Sequence, residues 1–246
     1  MSSESPQSPG SGIDDVAPTA TTWTTGRIIT KELPTPTTVR LRMHVEDRLR
    51  HWPGQHYLIR LRAPDDYTAQ RSYSVASDDS DPLLEFLVEK LPGGEVSEFL
   101  ADVAEVGDEL EMRGPIGRWF TWDTRTPALC LVGGTGVVPA ISMSRAAQRL
   151  GTPDLVRIVG VGRSPGELPS DDELRRHGAT LAYTRQASAG RAAGPPTEAE
   201  LAPLVEGVDL AYVCGSSRFA GLAESLLMRC GMPPESIRVE QFGATS

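Results

Sequence analysis

The stretch from Ala128 to Leu150, ALCLVGGTGVVPAISMSRAAQRL, leaves few folds open. ALCLV is apolar at every position, and a strand without polar alternation is one buried on both faces. VVPAISMSRAAQRL then reads as a helix, with Pro139 in its first turn, where the missing N–H is not needed. Between them, Gly134 and Gly136 let backbone approach a pyrophosphate closely, and the free N–H groups of the helix start would face it. The third glycine of the dinucleotide fingerprint is absent and Pro139 stands in its place. The same residues therefore also suit a tight strand-to-helix turn with no ligand.

The alternation continues downstream. VRIVGVG, ATLAYTR, DLAYVCG and SIRVEQF read as strands, separated by the helical patterns DDELRRHG, TEAELAPLV and RFAGLAESLLMRCG. Alternating elements of this length imply an α/β domain with a parallel, doubly wound sheet over residues 124–246. Upstream the character differs. TTVRLRMHV alternates cleanly, with Val39, Leu41, Met43 and Val45 on one face and Arg40, Arg42 and His44 on the other. HYLIRLR, RSYSVAS, LLEFLVEKL and GDELEMRG follow as strands, and VSEFLADV carries the one helical signal. Short strands between Pro/Gly turns predict an antiparallel β-barrel or sandwich over residues 23–123. Residues 1–22, rich in Ser, Pro, Thr and Gly, read as a disordered tail.

A net charge of −9 argues against a nucleic-acid binder, whose phosphate contacts need a basic surface. Locally the sign reverses. Arg27, Lys31, Arg40, Arg42, Arg48, Arg50, Arg60 and Arg62 face only Glu32, Glu46 and Asp47 in the same stretch, a candidate surface for an acidic partner. Cys130, Cys214 and Cys230 are too few and too widely spaced for an iron–sulfur cluster or zinc ribbon, and read as reduced thiols of a cytoplasmic protein. His44, His51 and His56 lack matching ligand spacing, so no metal site is expected. The first residues have no secretory pattern, and no apolar run approaches the ~20 residues of a membrane span.

RSYSVAS, residues 71–77, is odd for a strand: it places Arg71, Ser72, Ser74 and Ser77 where Val or Thr would pair better. Downstream, PGGEVSEFL offers Gly94, a helix start and Ser97, a second cradle for an anion. An anion held between Arg71 and that turn, with Tyr73 flat against a ring, would account for the polar strand. A polar edge strand with a solvated Arg71 is the plainer alternative.

Taken in order, WPGQHYL, RSYSVAS, GGEVS, GPIG, VGGTGVVP, VCG and VEQF resemble the ferredoxin–NADP reductase-like flavoprotein family over about residues 23–246. The resemblance implies a Greek-key flavin barrel followed by a nicotinamide nucleotide domain. Arg71 and Ser72 would hold the FAD phosphates, Tyr73 would stack on the flavin ring, and Ser74 would bond near its reactive nitrogen. Val88 and Lys90 would line the ribityl chain, and Gly94, Glu95, Val96 and Ser97 would cap the pyrophosphate. Gly134, Thr135, Gly136 and Pro139 would hold the dinucleotide. Cys214 and Gly215 would sit beside the nicotinamide, and Glu240 and Phe242 would approach the flavin. Catalytic roles fall on Ser74, Cys214 and Glu240. Arg163, Ser164, Thr184 and Arg185 look like the group that grips a 2′-phosphate, so NADPH is expected over NADH. The implied activity passes a hydride from NADPH to FAD and electrons to a separate acceptor, such as an acidic ferredoxin-like protein or redox enzyme. A small acceptor (flavin, ferric iron or quinone) and a non-catalytic flavin-binding subunit are the alternatives.

Overall fold

The computed structural model describes residues 17–242. The expected tail of residues 1–22 lies outside them up to Val16, as does the extension after Phe242. Residues 17–22 are held against the barrel. Ala17 is buried, Gln55 Nε2 donates to the Pro18 carbonyl, and the Ala20 N–H donates to the Pro115 carbonyl. Low sequence complexity there conceals a backbone that finds fixed partners on the barrel.

Six antiparallel strands form the first sheet: β1 (Thr24–Thr35), β2 (Thr38–Val45), β3 (His56–Arg62), β4 (Thr68–Ser74), β5 (Leu84–Glu89) and β6 (Glu109–Ile116). Their order is β4-β3-β6-β1-β2-β5, so β4 and β5 are the two free edges of a curled sheet. Beyond the end of β4 these edges are joined, where the Ala76 N–H donates to the Glu85 carbonyl. Alongside the strands no ladder among the described residues closes the barrel, which leaves a seam. β4 starts three residues before RSYSVAS and ends at Ser74; Val75, Ala76 and Ser77 leave the strand and turn into the domain boundary. A short helix, α1 (Glu95–Glu98), continues as a π-turn through Phe99–Val103 and packs against β4 and β3.

β5 has two faces. Leu84, Phe86 and Val88 fill the barrel core with Val39, Leu41, Met43 and Tyr57. Glu85, Leu87 and Glu89 alternate with them and meet the second domain.

That domain runs β7 (Ala128–Gly133), α2 (Val138–Leu150), β8 (Val156–Gly162), α3 (Asp171–Arg176), β9 (Thr180–Tyr183), α4 (Glu198–Val205), β10 (Leu210–Gly215), α5 (Ser217–Arg229) and β11 (Ile237–Gln241). All pairings are parallel and the order is β11-β10-β7-β8-β9. The chain winds outward from β7 in one direction, then crosses back to β10. The switch point therefore lies between the carboxyl ends of β7 and β10, where such sheets open a ligand crevice. α4 is started by a capping box of Thr197 and Glu200, and α5 by the Ser216 side chain. α2 joins the domains: Ser142 donates to the Ser77 carbonyl, Arg145 bonds Glu85, Glu173 and the Ala76 carbonyl, and Arg149 pairs with Asp78.

Candidate active site

At the seam, Arg71 and Tyr73 project to the same side of β4, opposite Ile59 and Tyr57 of β3. Arg71 is exposed, and its sole hydrogen bond among the described residues runs to the adjacent Gln70 carbonyl. The guanidinium is thus free to take an anion. Tyr73 is half-buried against the barrel core, and burial pushes its hydroxyl up. Ser72 is exposed. Ser74 is buried, and its Oγ has no hydrogen-bond partner among the described residues. Buried hydroxyls are rarely left unpaired. A ligand acceptor or donor at this point would satisfy it, so the site fits a flavin.

Other members of the expected flavin group are engaged otherwise. Val88 is fully buried in the barrel core and offers a ligand no side-chain surface. The Lys90 ammonium pairs with Asp102 at 2.7 Å. Ser97 Oγ accepts from the Leu91 N–H and donates to the Gly94 carbonyl, which shapes the turn before α1. A side chain on Gly94 would strike that Oγ at 2.4 Å. The Glu95 carboxylate accepts from Tyr67 Oη. What this turn offers an anion is therefore backbone N–H of Glu95, Val96 and Ser97, at a helix start with no intrahelical partners.

At the switch point the Gly-rich segment Gly134–Val137 is a 3-10 turn, and α2 begins one residue before Pro139. Gly134 has a φ of +58° and open space around its Cα, so glycine answers to conformation there. Gly136 answers to proximity. A Cβ on it would stand 2.3 Å from the Cys214 carbonyl oxygen, so the turn is pressed onto the end of β10. Thr135 Oγ1 reaches across the domain boundary to Glu89 Oε2 at 2.8 Å. The Phe219 ring lies against Gly133 and Gly215 and closes the back of the crevice.

Cys214 pairs in register with Glu240 of β11, and the Phe242 N–H donates to the Gly215 carbonyl. Cys214 is fully buried, in the apolar cluster against which Phe242 packs. Burial, and next the Glu240 carboxylate, push its thiol well up. Glu240 is partly buried without a hydrogen bond or ion pair among the described residues, and burial raises its carboxyl to about 7. At the far end of the crevice, Arg163 and Arg185 follow β8 and β9, both exposed and without ion pairs among the described residues. The Arg185 N–H donates to the Arg163 carbonyl, which holds the two loops together. Thr184 is exposed beside them, but the Ser164 hydroxyl donates to Glu167 at 2.8 Å.

The basic stretch of residues 24–63 is used within the molecule. Arg27, Arg40, Arg42, Arg50, Arg60 and Arg62 all pair with carboxylates, Arg48 donates to the Asp79 carbonyl and Lys31 to the Ala104 carbonyl. Most of its positive charges are thus matched by carboxylates or carbonyls, with Arg27 and Arg50 still largely exposed. Residues that the sequence did not mark include Glu89, Phe219 and Tyr57, whose buried Oη also lacks a partner among the described residues.

A split barrel whose seam faces the switch point of a doubly wound sheet sets two candidate cofactor sites side by side. Residues 26–121 match the family model of the oxidoreductase FAD-binding domain. Among curated proteins, the chain is 28% identical over 232 residues to the ferredoxin–NAD(P)(+) reductase component of a naphthalene 1,2-dioxygenase system from Pseudomonas putida, covering 88% of this chain and 68% of that protein. It is 29% identical over 213 residues to the reductase component of naphthalene 1,2-dioxygenase/salicylate 5-hydroxylase systems from Ralstonia sp, covering 82% of this chain and 64% of that one. The chain thus spans about two thirds of these relatives. In fold it is similar to a ferredoxin NADP+ reductase from Neisseria gonorrhoeae with bound FAD and NADP, with a TM-score of 0.75, 20% identity, and coverage of 89% of this chain and 98% of that one. Residues 26–121 thus match an oxidoreductase FAD-binding domain, and the chain is similar along most of its length to ferredoxin–NAD(P)(+) reductase components.

Proposed function

We propose that this chain is an FAD-dependent NAD(P)H reductase that delivers electrons to a separate redox protein, and that it works in the cytoplasm. One observation carries the reading: the turn Gly134–Val137 touches both β5 at the seam, through Thr135 and Glu89, and Cys214 at the end of β10. The two candidate cofactor sites are therefore adjacent, as direct transfer between cofactors requires. When bound, the cofactors would supply the hydride chemistry. The protein's part is binding and placement. Arg71 and the N–H groups before α1 would hold the flavin phosphates, Tyr73 would face the ring, and Ser74 Oγ would bond its polar edge. Gly134, Gly136 and Pro139 would admit the dinucleotide to the switch point. Cys214, Gly215, Glu240 and Phe242 would form the wall where the rings meet. Three free thiols suit a reducing compartment, and among the described residues no helix is long and apolar enough to cross a membrane.

That the similar proteins named above are reductase components of dioxygenase systems supports a ferredoxin or oxygenase as acceptor. A small diffusible acceptor is the second reading, favoured by the internal pairing of the basic stretch. Turnover insensitive to salt would select it, since screening to ~3 Å at 1 M removes charge steering. Arg163 and Arg185, exposed and without ion pairs among the described residues, support a preference for NADPH. Two charge-assisted contacts at roughly 1.5 kcal/mol each give about a hundredfold in kcat/KM, and partial solvation reduces that to about tenfold. Measuring kcat/KM for both nucleotides in wild type and Arg185→Ala tests this. A wild type that prefers NADH, or a variant that loses equally with both, removes the phosphate site.

A further inference from the structure

The outer face of β5 holds the second domain at three successive positions. Glu85 is bonded by Arg145, Leu87 lies in the apolar cluster with α2, and Glu89 accepts the Thr135 hydroxyl at 2.8 Å. The first two contacts act on α2. The third acts on the Gly-rich turn itself, and it is the turn's one side-chain hydrogen bond to the barrel among the described residues. On its other side the turn is fixed by backbone, because Gly136 sits against Cys214 with no room for a Cβ. That second contact lies within the turn's own domain, so it says nothing about distance to the barrel. Glu89 is also flanked in sequence by Val88, fully buried in the core, and Lys90, held by Asp102. Its backbone is therefore anchored on both sides, and its carboxylate is a fixed point on the seam.

We propose that Glu89 is a positioning residue: through Thr135 it sets how far the dinucleotide turn of the second domain stands from the flavin seam of the first. The proposal rests on the reductase reading and adds to it the element that fixes the approach of one cofactor to the other. Placement errors of about 1 Å can slow a reaction roughly a hundredfold. Loosening this one bond should therefore slow flavin reduction without removing either cofactor. Any acceptor of the right length at position 89 should serve, so the amide of Gln substitutes where a methyl group does not.

Five proteins loaded with FAD decide this: wild type, Glu89→Ala, Glu89→Gln, Thr135→Val and the Glu89→Ala/Thr135→Val double variant. Flavin reduction is followed by anaerobic stopped flow over a range of NADPH, and hydrogen exchange of amides 133–138 is measured without nucleotide. Glu89→Ala and Thr135→Val should each lower the limiting reduction rate by about tenfold or more with the flavin content little changed, and in Glu89→Ala the half-saturating NADPH concentration should also stay near that of wild type. The double variant should be no slower than the worse single one, since both remove the same bond. Glu89→Gln should stay within about threefold of wild type, as the amide oxygen still accepts the Thr135 proton. Exchange in the turn should quicken in the first, third and double variants and not in Glu89→Gln. Unchanged single variants, or losses that multiply in the double, overturn the proposal. Should Glu89→Ala fold poorly, Thr135→Val carries the same comparison. If neither NADPH nor NADH reduces the wild-type flavin, the reductase reading fails, and unchanged exchange in the turn then refutes the Glu89 contact separately.

Discussion

Replacing Glu240 by Gln should make the protein more stable at alkaline pH and leave it unchanged at acid pH. Glu240 lies on β11 beside Cys214, and burial raises its carboxyl from 4.5 to about 7. The folded protein thus holds that proton more tightly than the unfolded chain does. Below pH 4.5 both states are protonated and the residue is neutral to stability. As pH rises toward 7 the unfolded chain ionises first, and stability falls until the folded carboxyl has ionised too. At about 1.36 kcal/mol per pH unit, ionised Glu240 costs the fold about 3 kcal/mol above pH 7, and remaining solvent contact lowers this to about 1–3 kcal/mol. Gln keeps the shape and removes the charge. Its melting temperature at pH 8 should exceed that of wild type by about 2–12 °C, at roughly 2–4 °C per kcal/mol for a chain of this size. Urea unfolding followed by tryptophan fluorescence, at intervals from pH 4 to 8, measures the gap directly. A gap that does not change with pH, or a wild type that is more stable at pH 8, refutes the assignment of a desolvated carboxyl. The limiting rate of flavin reduction should also carry a titration near pH 7 that Glu240→Gln lacks.

Three further outcomes follow from the geometry. Arg71→Ala should keep its fold, because the side chain bonds only Gln70, but should bind FAD about a hundredfold more weakly, two charge-assisted bonds being lost; flavin retention through dialysis checks this. Gly136→Ala should lose nucleotide affinity and about 1–3 kcal/mol of stability, because its Cβ meets backbone at Cys214 rather than a side chain that can yield; calorimetry and nucleotide titration give both. Arg145→Met should destabilise by about 1–3 kcal/mol at neutral pH, leaving half-buried Glu173 without its ion pair and buried Glu85 with only Arg40 and Arg42; denaturant unfolding of flavin-loaded protein measures it.

The second domain was legible because its strands are nearly continuous apolar runs and helical patterns alternate with them. β7 and β10 could be placed from ALCLV and AYVCG alone. β1 was harder to read. Its register shifts between Ile28 and Thr30 and again between Glu32 and Thr35, and each shift breaks the alternation by which a strand is recognised. RSYSVAS was displaced for a related reason: Val75 and Ala76 look like strand residues, but Val75 ends in the barrel core and Ala76 at the domain boundary, neither extending β4. The basic stretch misled because charge counts along a sequence ignore distant partners. Arg40 pairs with Glu85, and Arg60 with Glu111 while stacking on Trp23. Glu89 could not be found from sequence at all. Its meaning depends on Thr135, 46 residues away across the domain boundary. The cofactor motifs marked where phosphates would go, and the contacts between motifs emerged only from packing.

The most direct measurement is the visible spectrum of the purified protein, taken before and after anaerobic addition of NADPH. The proposed reductase function predicts bound flavin absorption that bleaches when NADPH is added and returns with an oxidant. A colourless protein that does not take up FAD, or a yellow one whose colour neither NADPH nor NADH changes, would contradict the assignment.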